Sequence, residues 1–176
     1  MLTTFGDRRL HYFAIAVLHL NHRFWRDGMP IQTYALAAAP QRTIAGWHQA
    51  LPTGDVDTLR NLLAEQVTFH SPAVQTPVRG RDASLLVLAT VVDVLENMCY
   101  RRTFVAGPCE AALEFSADIG QFHLTGIDLM RFRDDGLIVE FEVMMRPLRA
   151  LSAVAESVGR RIGPRLLDMK LKPDPG

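Results

Sequence analysis

The chain has 176 residues, 48% hydrophobic and 22% charged, and its 19 Lys+Arg are balanced by 19 Asp+Glu. That is the profile of one soluble globular domain with enough chain to bury a core. A formal net charge of zero excludes the broad basic surface that grips phosphate backbones, so nucleic acid is not an expected partner. The balance hides an asymmetry: residues 1–40 carry 4 basic and 2 acidic groups, 41–145 carry 8 and 14, and 146–176 carry 7 and 3. The middle is an acidic body, followed by a basic C-terminal piece that ordinarily reads as a solvated helix face.

In chain order, Leu10 to Leu20 is an apolar run of 11 behind Arg8 and Arg9, the order of parts in a secretory signal. His11 and His19 interrupt it, and it is shorter than the ~20 residues that span a bilayer. An extra packing helix, or a start at Met29, explains the run as well, and a cytoplasmic location without membrane insertion is the expectation. His19 and His22 share a helical face but have no carboxylate or thiolate nearby, so no metal is expected there. We therefore treat 1–42 as an N-terminal extension, 43–162 as the folded domain and 163–176 as a basic tail.

Within the domain, Thr43 to Leu51 has helical spacing at Ile44, Trp47 and Leu51 and closes at Pro52-Thr53-Gly54; Asp55 caps a second helix. Val67 to Ser71 alternates as a short strand ending at Pro72. Leu85 to Met98 is apolar on nearly all sides, the pattern of a buried helix. From Tyr100 the period becomes 2, giving strands at 100–106, 110–119, 121–133 and 137–145, separated by Gly107-Pro108, Gly120 and Asp134-Asp135-Gly136. A last helix covers 148–162. Helices followed by hairpins predict an α+β fold: a cone-like curved antiparallel sheet, covered on one face by three to four helices and enclosing a pocket. Cys99 and Cys109 form no metal-ligand spacing, and strand pairing through the 106–108 turn would set Cys99 opposite a residue well beyond Cys109, so no disulfide joins them.

One carboxylate stands out. Along 121–133 the even positions are Phe122, Leu124, Gly126, Asp128, Met130 and Phe132, so alternation sends Asp128 inward among apolar neighbours. Burial disfavours the charged form and raises a carboxyl pKa, which suits acid/base work near neutrality; a structural aspartate held by amides or an arginine is the competing reading. His70 is a candidate helper, although alternation with Val67 and Phe69 turns it outward and Ser71 inward, which weakens a Ser-His-acid triad. The candidate ligand-binding residues are Trp47, Phe69, Ser71, Met130, Phe141, Val143 and Met145. No cofactor is expected.

Trp47 seven residues before Gly54-Asp55, then Phe69-His70-Ser71-Pro72, Gly80-Arg81-Asp82 and Gly126 to Phe132 followed by Asp135-Gly136, resemble the nuclear transport factor 2-like superfamily. Within it they resemble the bacterial SnoaL-like branch, which has ketosteroid isomerase as a relative. The resemblance covers about 43–162. It implies that Asp128 stands where ketosteroid isomerase keeps a protonated aspartic acid facing a developing oxyanion, the case worked out for that enzyme. At the positions of that enzyme's general base and oxyanion tyrosine this chain has Ser71 and Trp47, so its three-group mechanism is not implied. The resemblance to SnoaL-like polyketide cyclases implies a pocket aspartate as acid/base, and the superfamily's habit implies a homodimer through the outer sheet face. Two function classes follow: a cofactor-independent isomerase, cyclase or hydrolase acting on a small hydrophobic molecule, or a non-catalytic ligand-binding or dimerisation module. A weaker third reading is a protein-interaction adaptor using the odd face of 121–133 and the basic last helix.

Overall fold

The computed structural model describes residues 34–171, with side chains to Gly163; the expectations for residues 1–33, including His11, His19 and His22, lie outside the described residues. Four helices and six strands follow in the order α1 (Ala38–Thr53), α2 (Val56–Leu62), β1 (Leu63–His70), β2 (Val78–Arg79), α3 (Arg81–Val94), β3 (Glu96–Gly107), β4 (Glu110–Ile119), β5 (Phe122–Phe132), β6 (Ile138–Arg146) and α4 (Leu148–Leu171). None of the described helices is long and apolar enough to cross a membrane.

Local chemistry sets the boundaries. Gly54, at φ +63°, ends α1: its N–H bonds Leu51 O while the Asp55 N–H bonds Ala50 O, a Schellman closure that needs a residue at ease in left-handed backbone. Asp55 then caps α2, accepting from the Thr58 N–H at 3.0 Å, as an N-cap aspartate does for orphan amides. The expected start of α1 at Thr43 is late: the helix begins at Ala38, with no side-chain cap to mark it, whereas α3 begins at Arg81, at the Gly80-Arg81-Asp82 turn. The α3 end was also misplaced. Leu95 is already extended and Asn97 has φ 53°, so Glu96 to Met98 open β3 rather than prolong the helix.

The sheet order is β2-β1-β6-β5-β4-β3. The predicted strands from 100 onward do form an antiparallel meander, with Asp128 opposite Leu113 on β4 and Val143 on β6. One pair differs from the antiparallel expectation: β1 runs parallel to β6, Phe69 beside Phe141. A parallel neighbour needs a long crossover, and the helix and meander between β1 and β6 supply it. Cys99 pairs with Ser116, beyond Cys109, and both cysteines are free.

The inner sheet face and the helices share one apolar core that includes Trp47, Leu59, Val67, Leu113, Phe115, Leu124 and Ile138. Two glycines fit the layers together. A Cβ on Gly126 would lie 2.3 Å from Phe115 Cζ, so the missing side chain is what lets that ring lie on β5. Gly136, at φ +93°, abuts the backbone of Ala39 at 2.8 Å from where a Cβ would stand. Its carbonyl accepts from the Thr43 hydroxyl at 2.7 Å, which ties the β5–β6 hairpin to the start of α1.

Candidate functional site

A cavity of about 210 Å³ opens between the inner sheet face, α3 and α4. It exceeds the ~150 Å³ apolar cavity that holds one benzene in an engineered lysozyme, so it has room for a ligand larger than one aromatic ring. Its wall is made mostly of Val, Leu, Ile, Phe, Met and Ala side chains with Trp47, Pro72 and two glycines, and Asp128 and Ser71 are the two hydroxyl- or carboxyl-bearing residues among those that line it.

Asp128 reaches this wall because it occupies an inward position on β5, between Gly126 and Met130. It is 3% exposed. The Tyr100 hydroxyl donates to Asp128 Oδ2 at 2.6 Å, and the Trp47 Nε1–H donates to the Tyr100 oxygen at 2.7 Å. Three elements, α1, β3 and β5, thus contribute one group each to a line of hydrogen bonds ending on the carboxyl. Among the described residues, Oδ2 is the Asp128 oxygen with a hydrogen-bond partner; Oδ1 is left for the cavity.

Electrostatics follow from that geometry. Burial raises the Asp128 pKa from 3.8 to about 7, against the opposing pull of the Tyr100 hydrogen bond. Desolvation, and then the nearby Asp128 charge, hold the Tyr100 phenol well above its usual range, so it stays a donor. Because Oδ2 accepts from Tyr100, Oδ1 is the oxygen left to carry the proton of neutral Asp128. Near neutrality the group exists in both forms, able to donate a proton or to take one.

Neighbouring aromatics fix the relay. His48 packs on Tyr100 at a tilt of 34° with ring centroids 4.7 Å apart, and Phe115 meets Tyr100 edge-on at 6.1 Å. Burial lowers the His48 pKa, and its Nε2 is buried without a partner. Trp47 and Phe141 are 5.2 Å apart, and Phe69 stacks on Phe141 at 5.4 Å.

Of the residues expected from the sequence, Asp128, Trp47, Phe69, Ser71, Phe141, Val143 and Met145 come together around the cavity. Met130 does not: it faces inward but packs in the core, 3% exposed, away from the cavity wall. His70 is not brought to Asp128. It sits on the outer sheet face with Nε2 3.1 Å from Glu140, whose other oxygen is bound by Arg131 at 2.9 Å. Tyr100, which donates to Asp128, is the residue of this arrangement that sequence reasoning missed. Its signal was available, since it is an aromatic hydroxyl early in β3, two strands from the one carrying Asp128, but with the preceding helix extended to Met98 the inward phase of that strand had no anchor. Among the described residues no group of three or more His, Cys, Asp or Glu side chains could hold a metal ion.

Comparison with known proteins places this arrangement. The model of the SnoaL-like domain matches residues 44–141. A solved steroid delta-isomerase from Pseudomonas aeruginosa is 39% identical, with a TM-score of 0.71 over 77% of this chain and 99% of that one. An uncharacterised bacterial protein with a cystatin-like fold from Silicibacter pomeroyi is 33% identical, with a TM-score of 0.70 over 74% of this chain and 94% of the other. A putative SnoaL-like polyketide cyclase from Jannaschia shares the fold at 10% identity, with a TM-score of 0.56 over 70% of this chain and 98% of that one. No curated protein matches the chain. With its open, mixed six-stranded sheet, helical cover and cavity-facing aspartate, the chain belongs to the SnoaL-like family of the nuclear transport factor 2-like superfamily.

Proposed function

We propose that the protein is a cofactor-independent acid/base enzyme of the isomerase or cyclase type, acting through Asp128 on a small hydrophobic molecule that bears a carbonyl or enol oxygen. The observation that carries this reading is Asp128 itself: 3% exposed, held at one oxygen by Tyr100, and turned toward an apolar cavity with the other. The 39% identity to a steroid delta-isomerase supports the class of chemistry rather than the substrate.

Among the described residues the cavity wall offers one titratable side chain, so the acid and base roles fall to the same residue in turn. As carboxylate, Asp128 Oδ1 takes a proton from a carbon next to the ligand's carbonyl, and the C–H pair moves into the enolate. The acid so formed returns the proton to a conjugated carbon. Ser71, whose hydroxyl lines the same cavity, is the side chain available to hydrogen-bond the enolate oxygen. Tyr100 remains protonated throughout and keeps Oδ2 occupied, which leaves Oδ1 as the reacting atom. General acid–base catalysis of this kind contributes ~10²–10⁴-fold.

The test is deuterium exchange at the α-carbon of a β,γ-unsaturated cyclic ketone in D₂O, followed by NMR. The expected outcome is catalysed exchange that rises with pH to a break near 7 and falls at least ~10²-fold in Asp128→Asn. Unchanged exchange in that variant overturns the proposal. A non-catalytic binding module is favoured by a separate observation, the absence of a second titratable group from the wall; it predicts ligand affinity without exchange. We further propose that two copies pair through the outer sheet face, where Phe104 is 45% and Met144 52% exposed. A monomeric mass by light scattering at micromolar concentration would refute the pairing.

A further inference from the structure

The cavity is long for its volume. On α4 its wall runs from Leu151 through Val154, Ala155, Val158 and Gly159 to Gly163, a stretch of about 18 Å at 1.5 Å per residue. A volume of about 210 Å³ along such a wall is a slot rather than a sphere. Ala155, Gly159 and Gly163 are spaced four apart, so they lie one above another on the face that borders it.

The two glycines are costly where they stand, since helix interiors disfavour glycine more than any residue except proline. Packing against the described residues does not explain them: among those residues a Cβ built on Gly159 or Gly163 meets nothing within 4 Å. Both line the cavity, yet Gly159 is exposed and Gly163 half-buried, so the slot reaches solvent beside them. A second observation belongs to the same cavity from its opposite side. Asp128 on β5, 97% removed from solvent at 3% exposure, presents an oxygen without a protein partner.

We infer that the site takes an elongated apolar molecule with an oxygen-bearing head, the head meeting Asp128 and the tail leaving through a notch that Gly159 and Gly163 keep open. The head's role rests on the acid/base reading of Asp128; the tail's path rests on the slot and the glycines. A compact ligand filling only the enclosed space would gain nothing from bare backbone at these positions, and alanine would serve the helix better.

Calorimetric titration of the full chain with 4-methylphenol and 4-hexylphenol separates the two parts. Each further methylene buried in the slot tightens binding by up to about fourfold, so the hexyl compound should bind the wild type at least tenfold more tightly than the methyl one. Gly159→Leu should cost 4-hexylphenol at least tenfold and leave 4-methylphenol within twofold, with Gly163→Leu as an independent second block. Gly159→Ala should raise the melting temperature and, by narrowing the notch, weaken 4-hexylphenol more than 4-methylphenol, though less than Gly159→Leu does. Equal affinities for the two phenols in the wild type, no binding of either, or equal losses for both in the leucine variants overturn the inference. Asp128→Ala should weaken both phenols by the same factor. If it does not while the chain-length effect persists, the acid reading falls and the slot stands.

Discussion

Replacing Asp128 with Asn changes one proton and almost no volume, and the structure fixes how that proton should appear in stability. In the folded protein the carboxyl titrates near 7, against 3.8 for an exposed aspartate, because burial disfavours the ion. A group whose folded pKa is raised binds its proton more tightly when folded, so its contribution to stability is complete below 3.8 and is lost as pH rises through 7. About three pKa units at roughly 1.4 kcal/mol each make the loss about 4 kcal/mol across that window. Asparagine can still accept the Tyr100 hydrogen bond and does not titrate. The stability of Asp128→Asn relative to wild type should therefore climb between pH 4.5 and 7.5 by a few kcal/mol and level off above 8, making the variant the more stable protein at alkaline pH. Urea denaturation at half-unit pH steps measures this directly. Asp55, Glu114, Asp118, Asp135 and Glu140 are all held below the usual carboxylate range by hydrogen bonds and ion pairs, but they are common to both proteins and cancel in the difference. A difference that stays flat with pH would refute burial as the cause of Asp128's proton affinity.

Three other outcomes follow from the same geometry. Tyr100→Phe removes the one hydrogen bond that pulls the Asp128 pKa down, so in urea titrations of that variant the loss of stability with rising pH should continue to a higher pH before it levels off than in wild type. Gly126→Ala forces a Cβ to within 2.3 Å of the Phe115 ring and should destabilise by ~1–3 kcal/mol, as overpacking does; adding Phe115→Leu in the same chain should recover part of the loss. Gly136→Ala must adopt φ +93° and meet the Ala39 backbone at 2.8 Å, whereas Gly54→Ala keeps φ +63° with open space around it. Thermal melts should show about 1–2 kcal/mol lost at Gly54 and clearly more at Gly136.

Legibility in the sequence followed the range of the interaction. Asp128 was found by alternation, a property of one strand that needs no partner, and Phe141, Val143 and Met145 were assigned to the cavity for the same reason. Tyr100 needed two further facts, the strand's starting phase and its distance from β5, and both were hidden behind a helix end with no glycine or proline to mark it. Leu95 and Met98 are apolar enough to extend the α3 pattern, and they do face the cavity, but from extended backbone. The parallel β1–β6 pair joins residues about seventy positions apart, and no local pattern encodes that neighbour. Met130 shows the limit of alternation: it gives the face of the sheet correctly and says nothing about the position along it, so a core residue was placed on the cavity wall.

The line from Trp47 through Tyr100 to Asp128 joins the first helix to two strands, and this couples acidity to motion. Any excursion that lifts α1 off the sheet breaks the Trp47 bond and admits water to Asp128, whose affinity for its proton then falls toward that of a free aspartate. At pH 7, where the closed carboxyl is about half protonated, such an opening releases about half a proton on average. Acid therefore holds the helix down and alkali frees it, so the rate at which backbone amides of α1 exchange with solvent should sense the charge of a residue on another layer of the fold.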